Sequence, residues 1–477
     1  MTNTDTIVAL STPQGNGALA LIRLSGADAV AIADSVWVAR KPLASAKSHT
    51  VHLGSIVDKE SGETVDECVA TVYLAPHSFT GENIVEFSCH GSQWIVRQVL
   101  NLLVRRGARA AKGGEFSMRA FINGKVDLAQ AEGIADLIAS SSRAAHRMAM
   151  SQMKGRFSEA LTRLNAKLVE FASLLELELD FSEEDVEFAD RTRLVQLANE
   201  IKNYVDKLAA SYSTGKVLKE GVPVAIVGVP NSGKSTLLNQ LLGEDKAIVS
   251  SIAGTTRDVI EDCVEIGGIL FRFIDTAGLR HTSDEIETIG ISRAVDAGQR
   301  ASVIIKVIDS TADTAEQEAT IADYIKDTDG IKVVTVYNKC DLQHADTTDT
   351  DTTDTDISHA DSTLTDTGTI DSGSDAIRLS AKFGEGIEAL QHALTTAITA
   401  DVNPEESLMV TNARHYESLT RASADLERAL AGIADNLPAD LIAQDVRAAT
   451  VALSEICGTI TSDTLLHNIF AHFCIGK

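Results

Sequence analysis

The feature that most constrains this chain is the run Gly228-Val-Pro-Asn-Ser-Gly-Lys-Ser235, a GxxxxGK[ST] loop. It follows an apolar run from Val222 to Gly228 and precedes Thr236 to Leu242, which reads as helix. That context is what the pattern needs, because glycines let the loop curl until its backbone N–H groups and the helix N-terminus face phosphates. A random chain of this length carries the pattern about one time in fifty at ordinary glycine frequency, so the flanking strand and helix supply the specificity. Further apolar runs alternate with helical stretches: Ile269 to Ile274, Ser302 to Ile308, Lys332 to Tyr337 and Ile377 to Ser380. Such alternation predicts a doubly wound, mainly parallel α/β sheet.

Two more loops close strands of that sheet and narrow the ligand. Lys234 is expected to neutralise β and γ phosphates, and Ser235 to ligate Mg²⁺. Asp275-Thr-Ala-Gly278 puts a carboxylate at a strand end beside the magnesium, where it acts through water, and a glycine N–H near the γ-phosphate. Asn338-Lys-Cys-Asp341 reads the base. Guanine offers its N1–H and N2–H₂ donors together, and the Asp341 carboxylate accepts both, whereas adenine lacks the N2 amine. A site built on such donors rejects the analogue by about 10⁴ or more, so GTP is favoured over ATP. Ser380-Ala381-Lys382 completes the base pocket; the other nucleotide contacts expected from these motifs are Asn231, Ser232, Gly233 and Thr236 of the phosphate loop, Thr276 and Ala277 of the Asp275 motif, and Lys339 of the base motif. Gly254-Thr-Thr-Arg-Asp258 is suited to ordering around the γ-phosphate, with Thr256 as the second magnesium ligand. Leu279 follows Gly278, so the Gln that orients water in Ras-type sites is absent and another group must do so.

The remainder of the 477 residues implies more than one core. Up to about residue 120, short alternating runs (Ala18 to Leu24, His49 to Val57, Cys68 to Leu74, Ile84 to Phe87) predict a sheet-containing domain. Leu161, Leu164, Leu168, Phe171, Leu175 and Leu179 then recur at helical spacing, and helix returns after about residue 405 through Leu419, Leu426, Leu430 and Leu453. The α/β unit is expected to be inserted between two helical segments that pack together. Six cysteines without a CxxC pair, and no basic-then-apolar leader, point to a reducing cytoplasm. No run approaches a membrane span. The net charge of −26 argues against non-specific nucleic-acid binding. Nine aspartates and no Lys or Arg lie in the Asp/Thr-rich stretch 345–375, whose composition is that of a disordered insert. Without them the charge is −17, so any nucleic acid must be held by a local patch or by a second protein. Arg105, Arg106, Arg109 and Lys112 form the densest basic group; it reads as a solvated helix end or as a nucleic-acid contact.

The segments Asp5 to Gly26, Ser78 to Glu86, Gly113 to Ala135, the loops above and the terminal Phe473-Cys-Ile-Gly-Lys477 together resemble the bacterial and organellar tRNA-modification GTPase family MnmE, also called TrmE. The resemblance covers almost the whole chain. It implies an N-terminal α+β folate-binding and dimerisation domain (1–120), a discontinuous helical domain (121–218 and 401–477) and a Ras-like P-loop GTPase domain inserted into it (219–400). It implies Glu287 as the residue that orients the hydrolytic water, and potassium held by Asn231, Ser250, Ile252 and Thr255, with Ser251, Ala253 and Gly254 in the same nucleotide loop. Arg257 and Arg280 are rivals to potassium for stabilising transition-state charge. It implies a folate site of Arg23, Glu86, Lys125 and Lys477, for 5-formyl- or 5,10-methylene-tetrahydrofolate. Asn16 stands where the family's Gly-rich segment has Arg.

Cys474 is a nucleophile candidate by the same resemblance, with Lys477 as the cation that would lower its pKa; from the residues alone it reads as a small hydrophobe. His90, His467 and His472 read as structural, or at most as supports behind the residues that touch a ligand. The implied activity is potassium-stimulated GTP hydrolysis driving conformational change while a homodimer, with the flavin-containing partner MnmG, builds an aminomethyl or carboxymethylaminomethyl group at C5 of the wobble uridine, position 34 of tRNA. No GxGxxG follows a strand here, so flavin is assigned to the partner. The rival is a regulatory GTPase of the ribosome-assembly sort, which shares the GTP loops and needs neither the N-terminal domain nor the Cys474 tail.

Overall fold

The structure, a computed structural model, describes residues 5–181, 191–244, 262–274, 300–325, 331–342, 376–400, 408–459, 463–471, 473 and 476. The chain divides into two compact units, one of Met1–Ala139, Ala149–Asp206 and Glu417–Lys477, the other of Ser140–Met148 and Lys207–Tyr416.

The first unit begins with β1 (Ile7–Leu10), β2 (Leu19–Ser25), α1 (Ala29–Val36), β3 (Trp37–Val38), β4 (Thr50–Val57), β5 (Thr64–Tyr73), β6 (Ile84–His90), α2 (Gln93–Arg105) and β7 (Arg109–Ala110). The strands form one sheet in the order β3-β4-β5-β6-β2-β1-β7, antiparallel except where β7 joins β1. Strand alternation sends Ile22, Leu24, Ala70, Val72, Val85 and Phe87 to one face, where Val99, Leu102 and Leu103 of α2 cover them. The other face is open at Leu19, Val51 and Leu53, which are 66%, 66% and 68% exposed. Register places Val51 opposite Thr71, Leu53 opposite Val69, and Glu86 opposite both Thr71 and Arg23, so these side chains share that face.

Helix α3 (Glu115–Ile122) follows and is pinned to the sheet by ions. Arg119, 2% exposed, donates to Asp5 Oδ1 at 2.7 Å, to the Asp5 carbonyl at 2.8 Å, to Glu82 at 3.2 Å and to Glu115 at 3.2 Å. Arg109 adds bonds to Asp5 at 2.6 Å and to Glu115 at 2.5 Å. Helices α4 (Leu128–Ala139), α5 (Arg143–Met153), α6 (Arg156–Phe181) and α7 (Arg191–Ala210) come next in the chain, the part of α5 up to Met148 and the end of α7 from Lys207 belonging to the second unit. Leu161, Leu164, Leu168, Phe171 and Leu175 of α6 are all buried, as their spacing predicts.

The second unit contains α8 (Tyr212–Glu220), β8 (Val222–Gly228), α9 (Lys234–Glu244), β9 (Asp262–Ile266), β10 (Ile269–Phe273), β11 (Val303–Asp309), α10 (Thr314–Tyr324), β12 (Lys332–Asn338), β13 (Ala376–Arg378) and α11 (Ile387–Thr399). Its sheet order is β13-β12-β11-β8-β10-β9, parallel throughout except for the β9–β10 hairpin. One face packs on Leu237, Leu238 and Leu241 of α9 and Leu390 and Leu394 of α11; the other packs on Ile321 of α10. Helices on both faces bury the central strands β8 and β11 most fully, which is why these are near-continuous runs of Val and Ile. The doubly wound, mainly parallel sheet expected from the sequence is present.

The chain then returns to the first unit in α12 (Ala413–Ala434), α13 (Ala439–Cys457) and α14 (Asp463–Ala471). Helix α13 packs along α6 and also touches α4, and Asn165 donates to Ser454 between α6 and α13 at 3.3 Å. Beyond α14 the tail reaches the sheet again, where Ser11 Oγ donates to the Gly476 carbonyl at 3.1 Å.

Candidate nucleotide site

Strand β8 ends at Gly228, packed so closely on β11 that a Cβ there would lie 2.4 Å from the Val307 carbonyl oxygen. The chain turns through Asn231 (φ 60°) and Gly233 (φ 95°) before α9 begins at Lys234. Gly233 admits no side chain, since its Cβ would meet Asn338 Nδ2 at 2.1 Å. Asn338 uses that closeness to join three loops. Its Nδ2 donates to the Ser232 carbonyl at 2.9 Å, and its Oδ1 accepts from the Ala381 N–H at 3.0 Å. Ser380 Oγ donates to Asp341 Oδ1 at 2.7 Å, fixing one face of the carboxylate assigned to the base. Lys382 lies 5.1 Å from the Phe383 ring centroid.

Lys234 Nζ donates to the carbonyls of Gly228 at 3.0 Å and Val229 at 2.7 Å. Burial lowers its pKa to about 8, because the ammonium loses water. A polyanion here would raise it again. Ser235 and Thr236 occupy the first turn of α9, the positive end of the helix dipole, which favours anions. Thus Ser232, Gly233, Lys234, Asn338, Lys339, Asp341, Ser380 and Ala381 surround one loop. Ser250, Ser251, Ile252, Ala253, Gly254, Thr255, Thr256, Asp275, Thr276, Ala277, Gly278 and Glu287 lie outside the described residues, as do Arg257, Arg280, Cys474 and Lys477. Among the described residues no cluster of three or more His, Cys, Asp or Glu could hold a metal; Ser235 is the one expected magnesium ligand among them.

In the first unit, Arg23 Nε donates to Glu86 Oε1 at 2.7 Å on the open face of the sheet. The Arg23 guanidinium lies 5.4 Å from the Phe79 ring and 5.7 Å from the Phe116 ring. Lys125 Nζ donates to the Pro76 carbonyl at 3.1 Å, within the same loop neighbourhood as Gly81. The two aromatic rings are absent from the sequence reading; phenylalanine has too many uses for its type alone to single it out.

The basic group at the end of α2 is largely neutralised locally. Arg105 pairs with Asp58 at 3.2 Å, Arg106 with Glu60 at 3.2 Å, and Arg109 with Asp5 and Glu115. Of the two readings open for it, this arrangement favours the structural one. His90 donates its backbone N–H to Asp66, and its exposed ring shares Nδ1 with the same carboxylate at 2.8 Å. Cys68 and Cys89 are buried together in the sheet, and the hydrogen bond between them, with burial, pushes the Cys89 thiol up, away from reactivity.

A phosphate-type loop after a central parallel strand, tied through one asparagine to an Asn-Lys-x-Asp loop, defines the chain as a P-loop protein of the GTPase class. The pattern described as "GTP-binding protein TrmE N-terminus" matches residues 6–125, and that described as "MnmE helical domain" matches 128–474. Proteins called "tRNA modification GTPase MnmE" are similar end to end. That of Cytophaga hutchinsonii is 49% identical over all of this chain and 98% of its own, and that of Bacteroides fragilis 47% identical over all of both. The chain belongs to the MnmE (TrmE) family. Among solved structures, the FeoB G domain of Methanococcus jannaschii aligns with 37% of this chain and 97% of its own at 24% identity and TM-score 0.24, too loosely to bear on function.

Proposed function

We propose that the chain hydrolyses GTP in the service of tRNA modification. With the flavin-containing partner MnmG it would add an aminomethyl or carboxymethylaminomethyl group at C5 of wobble uridine 34. The observation that carries this is the Asn338 junction between the phosphate loop and the base loop, in a chain almost half identical throughout to proteins called tRNA modification GTPases. Lys234 holds the β and γ phosphates and Asp341 selects guanine. Ser235, Thr256 and Asp275 would hold Mg²⁺. Asn231, Ser250, Ile252 and Thr255 would hold K⁺, which supplies positive charge where transition-state charge develops. Glu287 orients the attacking water.

The Arg23–Glu86 pair suits a folate. It offers a cation and a carboxylate side by side, flanked by the Phe79 and Phe116 rings, which matches a flat heteroaromatic ring with donors and acceptors on one edge. Lys125 and Lys477 would attract its carboxylates. The bound tetrahydrofolate supplies the one-carbon unit. Cys474 is the candidate nucleophile, and the bond from Ser11 to Gly476 ties its tail to the end of β1, whose Ala9 pairs with Arg23. Homodimerisation through the N-terminal sheet is supported by the exposed apolar residues Val51 and Leu53 of β4, with Leu19 of β2 on the same face. Among the described residues no helix is long and apolar enough to cross a membrane, and we assign the protein to the cytoplasm.

Phosphate release under saturating GTP tests the hydrolytic part. Turnover should be faster in KCl than in NaCl, and Glu287→Ala should lower kcat by about 10² or more. Turnover of Glu287→Ala within twofold of wild type would remove that residue from the mechanism. A wild-type chain inert towards GTP in both salts would sink the hydrolytic reading.

A further inference from the structure

Lys339 is held in an uncommon way. Its backbone is left-handed (φ 66°), a conformation that costs a non-glycine residue free energy and persists only where neighbours impose it. The neighbours that do so lie at the end of β11, outside the GTP-binding loops. Asp309 Oδ2 accepts from Lys339 Nζ at 2.6 Å, and Asp309 lies opposite Asn338 in the β11–β12 ladder. Asp309 is itself locked. Gln317, 6% exposed, accepts from the Asp309 N–H at 2.9 Å and donates to its carbonyl at 2.9 Å. The Thr311 N–H and hydroxyl donate to Asp309 Oδ1 at 3.0 and 2.6 Å. Next along the chain, the Ser310 N–H and hydroxyl both donate to the Asn338 carbonyl, at 3.0 and 2.7 Å. One strand end therefore grips the base-reading loop on both sides of the 338–339 peptide.

We propose that Asp309 is a positioning residue for base recognition: acting through Lys339, its carboxylate sets the loop so that Asp341 meets the guanine edge. The inference rests on the GTP-site reading above. Burial works to raise the Asp309 carboxyl, and hydrogen bonds from Lys339 and Thr311 outweigh it and hold the group below the usual carboxylate range, so the carboxylate stays charged at neutral pH. With its ammonium anchored, the four-carbon stem of Lys339 keeps one direction and presents a fixed apolar side.

The test uses the full chain and fluorescent GDP and IDP; inosine lacks the N2 amine that Asp341 accepts. Asp309→Asn should weaken GDP about tenfold, which is about 1.4 kcal/mol, and should narrow the preference for GDP over IDP. In a Lys339→Ala background the same change should add less than about twofold, because Asp309 acts through that lysine. Thr311→Val, an exposed change that removes the hydroxyl donor to Asp309 Oδ1 and leaves only the backbone N–H bond, should weaken GDP by about threefold and stands in if Asp309→Asn fails to fold. Effects that multiply in the double variant, an unaltered GDP/IDP ratio, or unshifted GDP affinity in Thr311→Val would each overturn the positioning role. Wild-type chain that binds GDP no better than IDP would instead overturn the GTP-site reading itself.

Discussion

The Lys234 ammonium rests on two carbonyls of its own loop, and this has a consequence in pH. Its pKa of about 8 without ligand rises when phosphates replace lost water as its partners, so nucleotide binding takes up a proton above that value. The sign follows: affinity is insensitive to this group below pH 7 and falls as pH rises past 8. Between pH 7 and 8.5, GDP should bind about fourfold more weakly, as titration calorimetry would report; an affinity independent of pH over that window would contradict the buried-lysine account. At this scale the sequence was legible wherever a ligand dictates residue types. Gly228, Gly233, Lys234, Asn338 and Asp341 stand out because phosphates and guanine leave few alternatives. Phe79, Phe116 and Asp309 did not, since a ring or carboxylate acquires meaning only from what the fold puts beside it.

Among elements, those with long periodic runs were readable: β8, β11 and α6 follow from Val/Ile runs and from leucines at helical spacing. Two-residue β3 and β7 offer too little pattern. The β9–β10 hairpin carries a Gly267-Gly268 turn signal, yet reading only the more apolar arm misses its partner. Helix α3 looks like a short polar-apolar segment, and its attachment through Arg119 depends on Asp5 and Glu82, which are remote in sequence. The Arg109 hydrogen bond lowers the Asp5 carboxyl despite opposing burial, with Arg119 adding to it. Burial works to raise Glu115, but bonds from Arg109, Lys112 N–H and Arg119 outweigh it and keep the pKa low. Carboxylates with depressed folded values stabilise the fold above their unfolded pKa of about 4 and lose that contribution as pH falls through the folded values. Arg119→Met should cost about 3 kcal/mol at pH 7 and flatten the loss of stability below pH 4. Trp37 and Trp94 are the chain's two tryptophans and both belong to the N-terminal sheet and its helix, so the urea midpoint of their emission reads this region. An unshifted midpoint would contradict a structural role for the network.

For the whole molecule, each compact unit carries its own chemistry. The second unit holds the nucleotide loops, and the first holds the Arg23–Glu86 face and the tail at Gly476. If the exposed apolar residues on the open face of the N-terminal sheet are the homodimer seam, Leu53→Glu should convert dimer to monomer at micromolar concentration in light scattering, because an unpaired charge would be buried there. A dimer that persists would move the seam elsewhere. Helical segments on either side of an α/β unit were legible as a pattern, whereas the open face was not, because an exposed strand position tolerates leucine for many reasons.

The central claim is that GTP hydrolysis by this chain serves a chemical change on tRNA. Mass spectrometry of nucleosides from total tRNA tests it most directly, in cells lacking the chain and complemented with wild type, Glu287→Ala or Cys474→Ser. The account predicts loss of the C5-aminomethyl-type uridines, restored by wild type and not by Glu287→Ala, with Cys474→Ser deciding whether that thiol takes part. Unchanged nucleosides in cells with no substitute enzyme would contradict it and leave a regulatory GTPase.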